Sequence, residues 1–333
     1  MTTQVAGYAQ LDMQNILKRL EQRGLQAKYV RARALPAWWD AELENDPTVV
    51  AEAAGYIAKR LGLDIASVFT PDANIAFKGQ TQPKFKKRQN TDEQSLEVAQ
   101  GLALRVAEIV QYATPLAYEP PNLSAAEIRQ RLLVEDAAVS LGNLLSFCSS
   151  VGIPVVHYAD LPQGIKKVDG LVACFNGQPV IVICCAKRSY AWLAFILAHE
   201  LGHILCGHVT EQVFVDENIA EEEQDAEETE ANEFAATLLL GQLKGYNWQK
   251  LPHCGTLVSQ AKRLASQHQV DPGTVCLNYA WQTQDWITGM AALKKFEKDA
   301  NAPALINTYL AQHLDWARLD RDSRDYLRLV TGA

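Results

Sequence analysis

One segment of the chain has residue types and a spacing that suit metal chemistry: the pattern His-Glu-x-x-His at 199–203. Residues four apart in an α-helix lie on one face, so His199 and His203 can direct two imidazole nitrogens to one point, as a tetrahedral zinc site requires. Glu200 borders the same cleft, where a carboxylate can take a proton from an attacking water and pass it to a leaving amine. The spacing therefore predicts a metal site with a general base beside it.

The residues that precede this pattern, 190–197, are almost all apolar, which predicts a buried helix. Polar side chains in such a helix need partners, because an unsatisfied polar group in an apolar interior is costly. A metal ion would satisfy both histidines. The alternative is a pair of core histidines that are each bonded to a backbone carbonyl.

Catalytic zinc sites commonly have a third protein ligand, and an acidic stretch at 221–230 leads into an apolar run at 234–240. Helical periodicity leaves two candidates open. Glu227 shares a face with Phe234, whereas Glu228 shares a face with Ala235. Most other carboxylates of this stretch are expected to be solvated in a first helical turn, where the helix dipole favours them.

His208 is another candidate, because it lies five residues after His203. On a continuous helix it occupies a different face, so it can be a ligand only if the helix breaks at Gly207. We therefore expect His208 at the rim or on the substrate side of the cleft rather than among the ligands.

Taken together, these motifs resemble the ImmA/IrrE family of zinc metallopeptidases. The resemblance rests on Ala-His-Glu-Leu-Gly-His at 198–203 and on Glu-x-x-Ala-Asn-x-Phe-Ala at 228–235. It extends to segments at 152–156, 168–172 and 178–183 that are similar to the short strands before the metal-binding helix of that family. It covers about residues 125–280.

The resemblance implies that Glu228 is the third metal ligand and that Asn232 orients a ligand histidine from behind, a role that metal sites generally need. It implies zinc as the metal, with manganese as the alternative. The family often has an arginine and an aromatic residue a few positions before the first histidine, whereas Arg188 and Tyr190 stand eleven and nine residues ahead of His199 here. These two residues are the remaining candidates for contacts on the substrate side.

The function implied by the resemblance is that of a zinc-dependent endopeptidase. Its substrate would be a partner regulatory protein, a repressor or antitoxin with a helix-turn-helix, cleaved in a stress, mobile-element or toxin-antitoxin response. The alternative is a metal-binding transcriptional regulator or partner-binding protein without proteolysis. A purely structural metal site has no use for Glu200, which favours the enzyme.

Composition limits the class of protein. With 333 residues, of which 48% are hydrophobic, the chain can bury one large core or two modest ones. Its apolar runs are too short for a membrane span, and its first residues do not have the layout of a signal peptide. Seven cysteines without regular spacing indicate reduced thiols. We therefore expect a cytoplasmic protein without membrane contact.

Charge is unevenly distributed along the chain. Residues 1–92 carry a net charge of +3, and residues 93–333 carry −11. A basic cluster at 84–88 lies among Pro, Gly and polar residues, which predicts an exposed linker over 79–92. Contact of this cluster with nucleic acid is the less favoured interpretation.

The first 78 residues are predicted to be helical, with helices over 11–23 and 47–61. Asp46 is a suitable N-cap before Pro47, and Gly62 separates the second helix from a short apolar segment that ends at Phe69. This pattern weakly resembles half of a helix-turn-helix, but a generic helical hairpin has the same spacing. DNA therefore remains a less favoured partner than a protein substrate.

The predicted fold class is α+β. We expect a mainly helical protein with a small three-stranded sheet, packed against a zincin-type metal-binding helix, and extra helical N- and C-terminal regions. Strands are predicted near 153–158, 170–175 and 179–185, with Asn-Gly at 176–177 as a hairpin turn. The predicted domains are a helical region at 1–78, the linker at 79–92, a metallopeptidase domain at 93–285 and a helical extension at 286–333.

Overall fold

The structure is a computed structural model that describes residues 11–79, 93–165, 168–209, 214–216 and 226–332. Its α-helices are α1 (Met13–Gln22), α2 (Ala27–Arg33), α3 (Pro47–Leu61), α4 (Ile65–Phe69), α5 (Glu93–Ala113), α6 (Ala125–Leu132), α7 (Leu141–Ser150), α8 (Tyr190–Leu205), α9 (Ala226–Leu240), α10 (Cys254–His268), α11 (Pro272–Thr283), α12 (Trp286–Phe296), α13 (Ala302–His313) and α14 (Arg321–Thr331). Its strands are β1 (Val155–His157), β2 (Gly170–Phe175), β3 (Gln178–Ile183) and β4 (Phe214–Asp216).

Two compact units make up the described chain. The first unit comprises the described residues of 1–113, 160–168 and 316–333, which contain α1 to α5 and α14. The second unit comprises 114–159 and the described residues of 169–315, which contain α6 to α13 and the four strands. Among the described residues, no helix combines the length and the apolar character that a membrane crossing needs.

In the first unit, local sequence signals fix the limits of α3. The Asp46 carboxylate accepts hydrogen bonds from the backbone N–H groups of Thr48 and Val49, and Pro47 occupies the first turn, where its missing N–H costs nothing. At the other end, Gly62 adopts a left-handed conformation with φ of +68°, which ends the helix. The helices predicted over 11–23 and 47–61 are thus observed as α1 and α3.

The second unit contains a mixed sheet in the order β1-β3-β2-β4. β2 and β3 form the predicted antiparallel hairpin, and both turn residues, Asn176 and Gly177, have positive φ, as a tight hairpin turn requires. β1 pairs in parallel with β3, and β4 pairs antiparallel with β2. The edge of β1 is satisfied by Asn307, whose side-chain amide exchanges two hydrogen bonds of 2.9 Å with the backbone of His157.

The core of the second unit surrounds α8, which is buried on nearly every side. α8 packs on β2 and β3 and against α7, α9 and α11. A helix that is apolar all round must be enclosed in this way. Its two histidines and its glutamate are therefore carried into the interior by the apolar residues around them.

The predicted fold class is confirmed: the described chain is mainly helical with a small sheet. The structure adds the three-residue strand β4, so the sheet has four strands rather than the expected three. A strand this short has no measurable alternation of apolar and polar residues. The basic cluster and the predicted linker beyond Gly79 lie outside the described residues, and the predicted domain limits remain predictions.

Candidate metal centre

The end of α8 determines where the residues after it lie. Gly207 has φ of +80°, and its N–H bonds to the carbonyl of Ile204, while the His208 N–H bonds to the carbonyl of His203 at 3.0 Å. This pair of bonds is a Schellman motif, which ends a helix at a left-handed residue. The helix therefore does break at Gly207, and the chain turns back beneath the last turn of α8.

His199 and His203 lie on one face of α8, and their side chains are fully buried. Their Nε2 atoms are 3.0 Å apart. Burial, with the neighbouring His199 and His208 as smaller causes, lowers the pKa of His203 to about 2, so this imidazole is neutral and can offer a lone pair. The predicted convergence of two ring nitrogens is present.

Glu228, on α9, provides the carboxylate that faces both histidines. One of its oxygens lies 3.3 Å from Nε2 of His199, and the other lies 3.4 Å from Nε2 of His203. Helical periodicity left Glu227 and Glu228 as candidates. The structure brings Glu228 to the two histidines, whereas Glu227 is exposed.

Asn232 lies one helical turn after Glu228 and contacts the other nitrogen of the His199 ring. Nδ1 of His199 and Oδ1 of Asn232 are 3.1 Å apart. Since an amide oxygen can only accept, the Nδ1–H of His199 donates, which leaves the Nε2 lone pair directed at the cluster. The contact expected of an orienting residue is therefore present.

α9 can approach α8 this closely because residue 202 is a glycine. A Cβ at Gly202 would lie 3.1 Å from Cα and 3.2 Å from the carbonyl oxygen of Ala231, and 3.2 Å from Cβ of Phe234. The backbone of α9 thus occupies the space that a side chain would need. Without this approach, Glu228 could not reach the two histidines.

Glu200 is fully buried, and its carboxylate lies against the first residue of β2. A Cβ built at Gly170 would lie 2.2 Å from Oε1 of Glu200 and 2.9 Å from its Cδ. The carboxylate therefore occupies a cradle that only a glycine leaves open. This contact fixes the position of Glu200 beside the metal-binding face of α8.

The structure places His208 beside Nδ1 of His203, and a role of His208 at the substrate stays a prediction. Its Nδ1 lies 3.0 Å from Nδ1 of His203, its Nε2 lies 3.0 Å from Oε2 of Glu230, and its side chain is only 7% exposed. The turn at Gly207 causes this position, because it directs His208 back behind the His203 ring.

Cys206 lies close to His208 and Glu230. Burial, followed by the charge of Glu230, raises the pKa of its thiol to about 11.

Arg188 and Tyr190 are not brought to the cluster. Tyr190 opens α8, nine residues before His199, a distance of about 13 Å along a helix. Its backbone N–H bonds to the carboxylate of Glu297, and the carbonyl of Arg188 accepts from Ala302. Tyr190 is the first residue of the helix and Arg188 precedes its N-cap, Ser189. A role of either residue at the substrate stays a prediction.

The cluster of His199, His203 and Glu228 could hold a metal ion. Two ligand atoms that are each about 2.0–2.2 Å from a tetrahedral ion lie about 3.4 Å apart. The two Nε2 atoms are 3.0 Å apart, one oxygen of Glu228 lies 3.3 Å from Nε2 of His199, and its other oxygen lies 3.4 Å from Nε2 of His203. Two imidazoles and one carboxylate are also a donor set that metal sites use.

Fold and site together define an α+β protein in which two packed helices join two histidines and a glutamate. The model of the Peptidase U49 family matches residues 182–268, from the end of β3 through α8 and α9 to the end of α10. No curated protein matches the chain. The matched stretch contains Glu200 and all three residues of the cluster, and it supports a peptidase. The assignment to ImmA/IrrE remains a prediction.

Three residues of this region were not recognised from the sequence. Gly170 and Gly202 matter because a neighbouring element occupies the space beside them, and no local pattern signals this. Glu230 was one of many carboxylates in an acidic stretch. The only available signal was its spacing, since it lies two residues before Asn232 on the same helix.

Proposed function

We propose that this chain is a zinc-dependent endopeptidase of the ImmA/IrrE type. His199, His203 and Glu228 would hold the metal, and Glu200 would be the general base and then the general acid. The observation that carries the proposal is the convergence of the two Nε2 atoms and the Glu228 oxygens within 3.0–3.4 Å. The peptidase family match over the same residues supports the class of reaction.

A zinc ion held by these residues would supply a Lewis acid for the scissile carbonyl and would lower the pKa of a bound water towards neutrality. Glu200 takes a proton from the attacking water and delivers it to the leaving nitrogen, so that the amine departs neutral. Asn232 holds the His199 ring in the tautomer that leaves Nε2 unprotonated. No nucleophilic side chain is required.

The proposed substrate is a regulatory protein, a repressor or antitoxin that carries a helix-turn-helix and is cleaved in a stress, mobile-element or toxin-antitoxin response. Support for this substrate comes from the resemblance of the motifs at 198–203 and 228–235 to the ImmA/IrrE family. The proposed location of the enzyme is the cytoplasm, and zinc is the proposed metal, with manganese as the alternative.

The metal ligands can be tested by substitution in the full chain. Changing His199, His203 or Glu228 singly to Ala should weaken zinc binding at least as much as loss of an orienting residue does, about 10- to 100-fold. Elemental analysis of the purified proteins measures the bound zinc. Glu227→Ala is the matched control and should retain full occupancy. Loss of zinc in the control alone would place the third ligand one residue earlier.

The chemistry is tested separately by Glu200→Gln. The amide has nearly the shape of the carboxylate but cannot accept the proton, so this variant should retain zinc and lose proteolysis. The probe is a library of peptides from a whole-proteome digest, in which new N-termini are identified by mass spectrometry. The unchanged chain and the control variant Glu227→Gln should both produce new N-termini in this library. If the zinc-loaded chain produces none, the non-proteolytic partner-binding function is favoured instead.

A further inference from the structure

His203 differs from His199 in what lies behind its ring. His199 contacts the neutral amide of Asn232, whereas His203 contacts a second histidine that is backed by a carboxylate. The series runs from Nδ1 of His203 to Nδ1 of His208 over 3.0 Å, and from Nε2 of His208 to Oε2 of Glu230 over 3.0 Å. Each ring nitrogen in this series has a partner at hydrogen-bond distance.

The hydrogen-bond directions follow from one condition. If Nε2 of His203 donates its lone pair to a metal, the neutral ring carries its proton on Nδ1, which must then donate. Nδ1 of His208 must accept this bond, so the proton of His208 is on Nε2 and is donated to the Glu230 carboxylate. All donors and acceptors in the series are satisfied by this arrangement.

Cys206, His208 and Glu230 also lie close enough together to resemble a second metal site. A metal on Nε2 of His208 would force the proton of that ring onto Nδ1. Two N–H groups, one from His203 and one from His208, would then face each other over 3.0 Å. Occupation of the first site therefore opposes occupation of the second, and one metal per chain is the expected stoichiometry.

We propose that His208 and Glu230 are positioning residues that fix the Nδ1–H tautomer of His203 and hold its Nε2 lone pair on the metal. The inference rests on the proposed function, because it requires His203 to be a ligand. Glu230 acts through His208, and His208 acts through His203.

The test measures the zinc dissociation constant of the full chain by competition with a chelator. His208→Leu removes the acceptor and should weaken zinc binding about 10- to 100-fold. His208→Asn places an amide oxygen where Nδ1 was and should recover most of this loss. Glu230→Gln still accepts but lacks the charge, so its effect should be smaller. Glu227→Gln, an exposed carboxylate on the same helix, is the matched control and should bind as the unchanged chain does.

Circular dichroism identifies any variant that fails to fold, and His208→Asn and Glu230→Gln test the proposal if His208→Leu does fail. A folded His208→Leu with unchanged zinc affinity would overturn the inference, as would His208→Asn that binds as weakly as His208→Leu. Two zinc ions per chain, or a thiolate-to-metal absorption of the cobalt-loaded chain that Cys206→Ser removes, would also overturn it.

The outcomes distinguish the two proposals. Zinc affinities in the expected order without cleavage that depends on Glu200 would refute the peptidase and leave the inference intact. Equal zinc affinities with cleavage intact would refute only the inference. A chain that binds neither zinc nor manganese would refute both.

Discussion

At the scale of single residues, the site depends on a glycine that contributes no functional group. Gly170 begins β2, and the Glu200 carboxylate fills the space where its side chain would be. A general base must lie within hydrogen-bond reach of the proton that it takes, so a displacement of about 1 Å can cost about 100-fold in rate. The backbone of β2 is therefore part of the device that positions Glu200.

Gly170→Ala should lower proteolysis about 100-fold while zinc remains bound, because the new Cβ displaces the carboxylate but not the three ligands. The end of the Glu200 side chain is flexible, so the loss of stability should be small. Cleavage of the peptide library and elemental analysis measure the two effects. Gly142→Ala, in α7, is the control, because the nearest atom to its Cβ is 3.9 Å away. Unchanged proteolysis in Gly170→Ala would show that Glu200 works from another position.

The spacing within 199–203 was sufficient to predict that His199 and His203 converge, because helical periodicity depends only on local sequence. The role of Glu200 stays a prediction. Periodicity alone did not distinguish Glu227 from Glu228, and the resemblance to a family did. The contacts of Gly170 and His208 could not be predicted, since they depend on how distant segments meet. The position of His208 also depends on a local feature, the left-handed turn at Gly207, which ends α8.

At the scale of elements, the separation of α8 and α9 determines whether Glu228, the proposed third ligand, can reach His199 and His203. Gly202 lets the backbone of α9 pass within van der Waals contact of α8. Farther along, the guanidinium of Arg129, on α6, bonds to the carbonyls of Leu238 and Leu239 at 3.1 and 2.9 Å. It also bonds to those of His268 and Gln269 at 2.7 Å. One buried cation thus joins the C-terminal ends of α9 and α10, where helix dipoles favour positive charge.

Gly202→Leu should abolish zinc binding and destabilise the fold by about 1–3 kcal/mol or more, because the side chain forces α9 away from α8. Gly202→Ala should have a smaller effect, since its Cβ requires a shift of only a few tenths of an ångström. Chelator competition and urea unfolding measure both variants. The control is Gly55→Ala in α3, which has open space and should gain up to about 1 kcal/mol. Full zinc affinity in Gly202→Leu would contradict the close packing.

Arg129→Met should reduce the free energy of unfolding by about 3–5 kcal/mol, because the four carbonyls would lose their charged hydrogen-bond donor in a buried environment. Burial lowers the pKa of this guanidinium, but arginine stays charged at any ordinary pH. Arg129→Lys should not rescue the loss, since one ammonium cannot reach both helix ends. Arg131→Met, exposed on the same helix, is the control in urea unfolding. Equal midpoints for the Arg129 and Arg131 variants would contradict this role.

Element prediction succeeded where signals are local and failed where they are not. α3 was predicted from its N-cap and glycine stop, and the hairpin of β2 and β3 from Asn-Gly at 176–177. β4 was missed, because three residues that pair with β2 carry no periodicity of their own.

At the scale of the whole molecule, the first unit is assembled from distant parts of the chain. α14 lies in the same unit as α1 to α5, whereas α12 and α13 lie in the second unit. Arg60, on α3, bonds through Nε and Nη2 to Oδ1 of Asp322, at 2.8 and 2.5 Å, and through Nη1 to the carbonyl of Leu35 at 2.7 Å. Both charged side chains are nearly buried, at 8% and 11% exposure. Removing one partner from a buried ion pair of this kind strongly destabilises the fold, because the other charge stays buried without compensation.

Asp322→Leu should therefore destabilise the first unit by about 3–5 kcal/mol, because the Arg60 charge is left buried without its carboxylate. Zinc binding should not change, since every residue of the cluster lies in the second unit. Urea unfolding and elemental analysis measure the two properties. Replacing both partners, with Arg60→Met and Asp322→Leu, should recover part of the loss.

Arg321→Met is the control for this pair, because Arg321 and its partner Asp325, both on α14, are 95% and 54% exposed, and such a pair contributes at most about 1 kcal/mol. An Asp322→Leu variant as stable as Arg321→Met would show that α14 is held by apolar contacts alone. Loss of zinc in a folded Asp322→Leu variant would show that the metal centre depends on the first unit, because none of the substituted atoms belongs to the cluster.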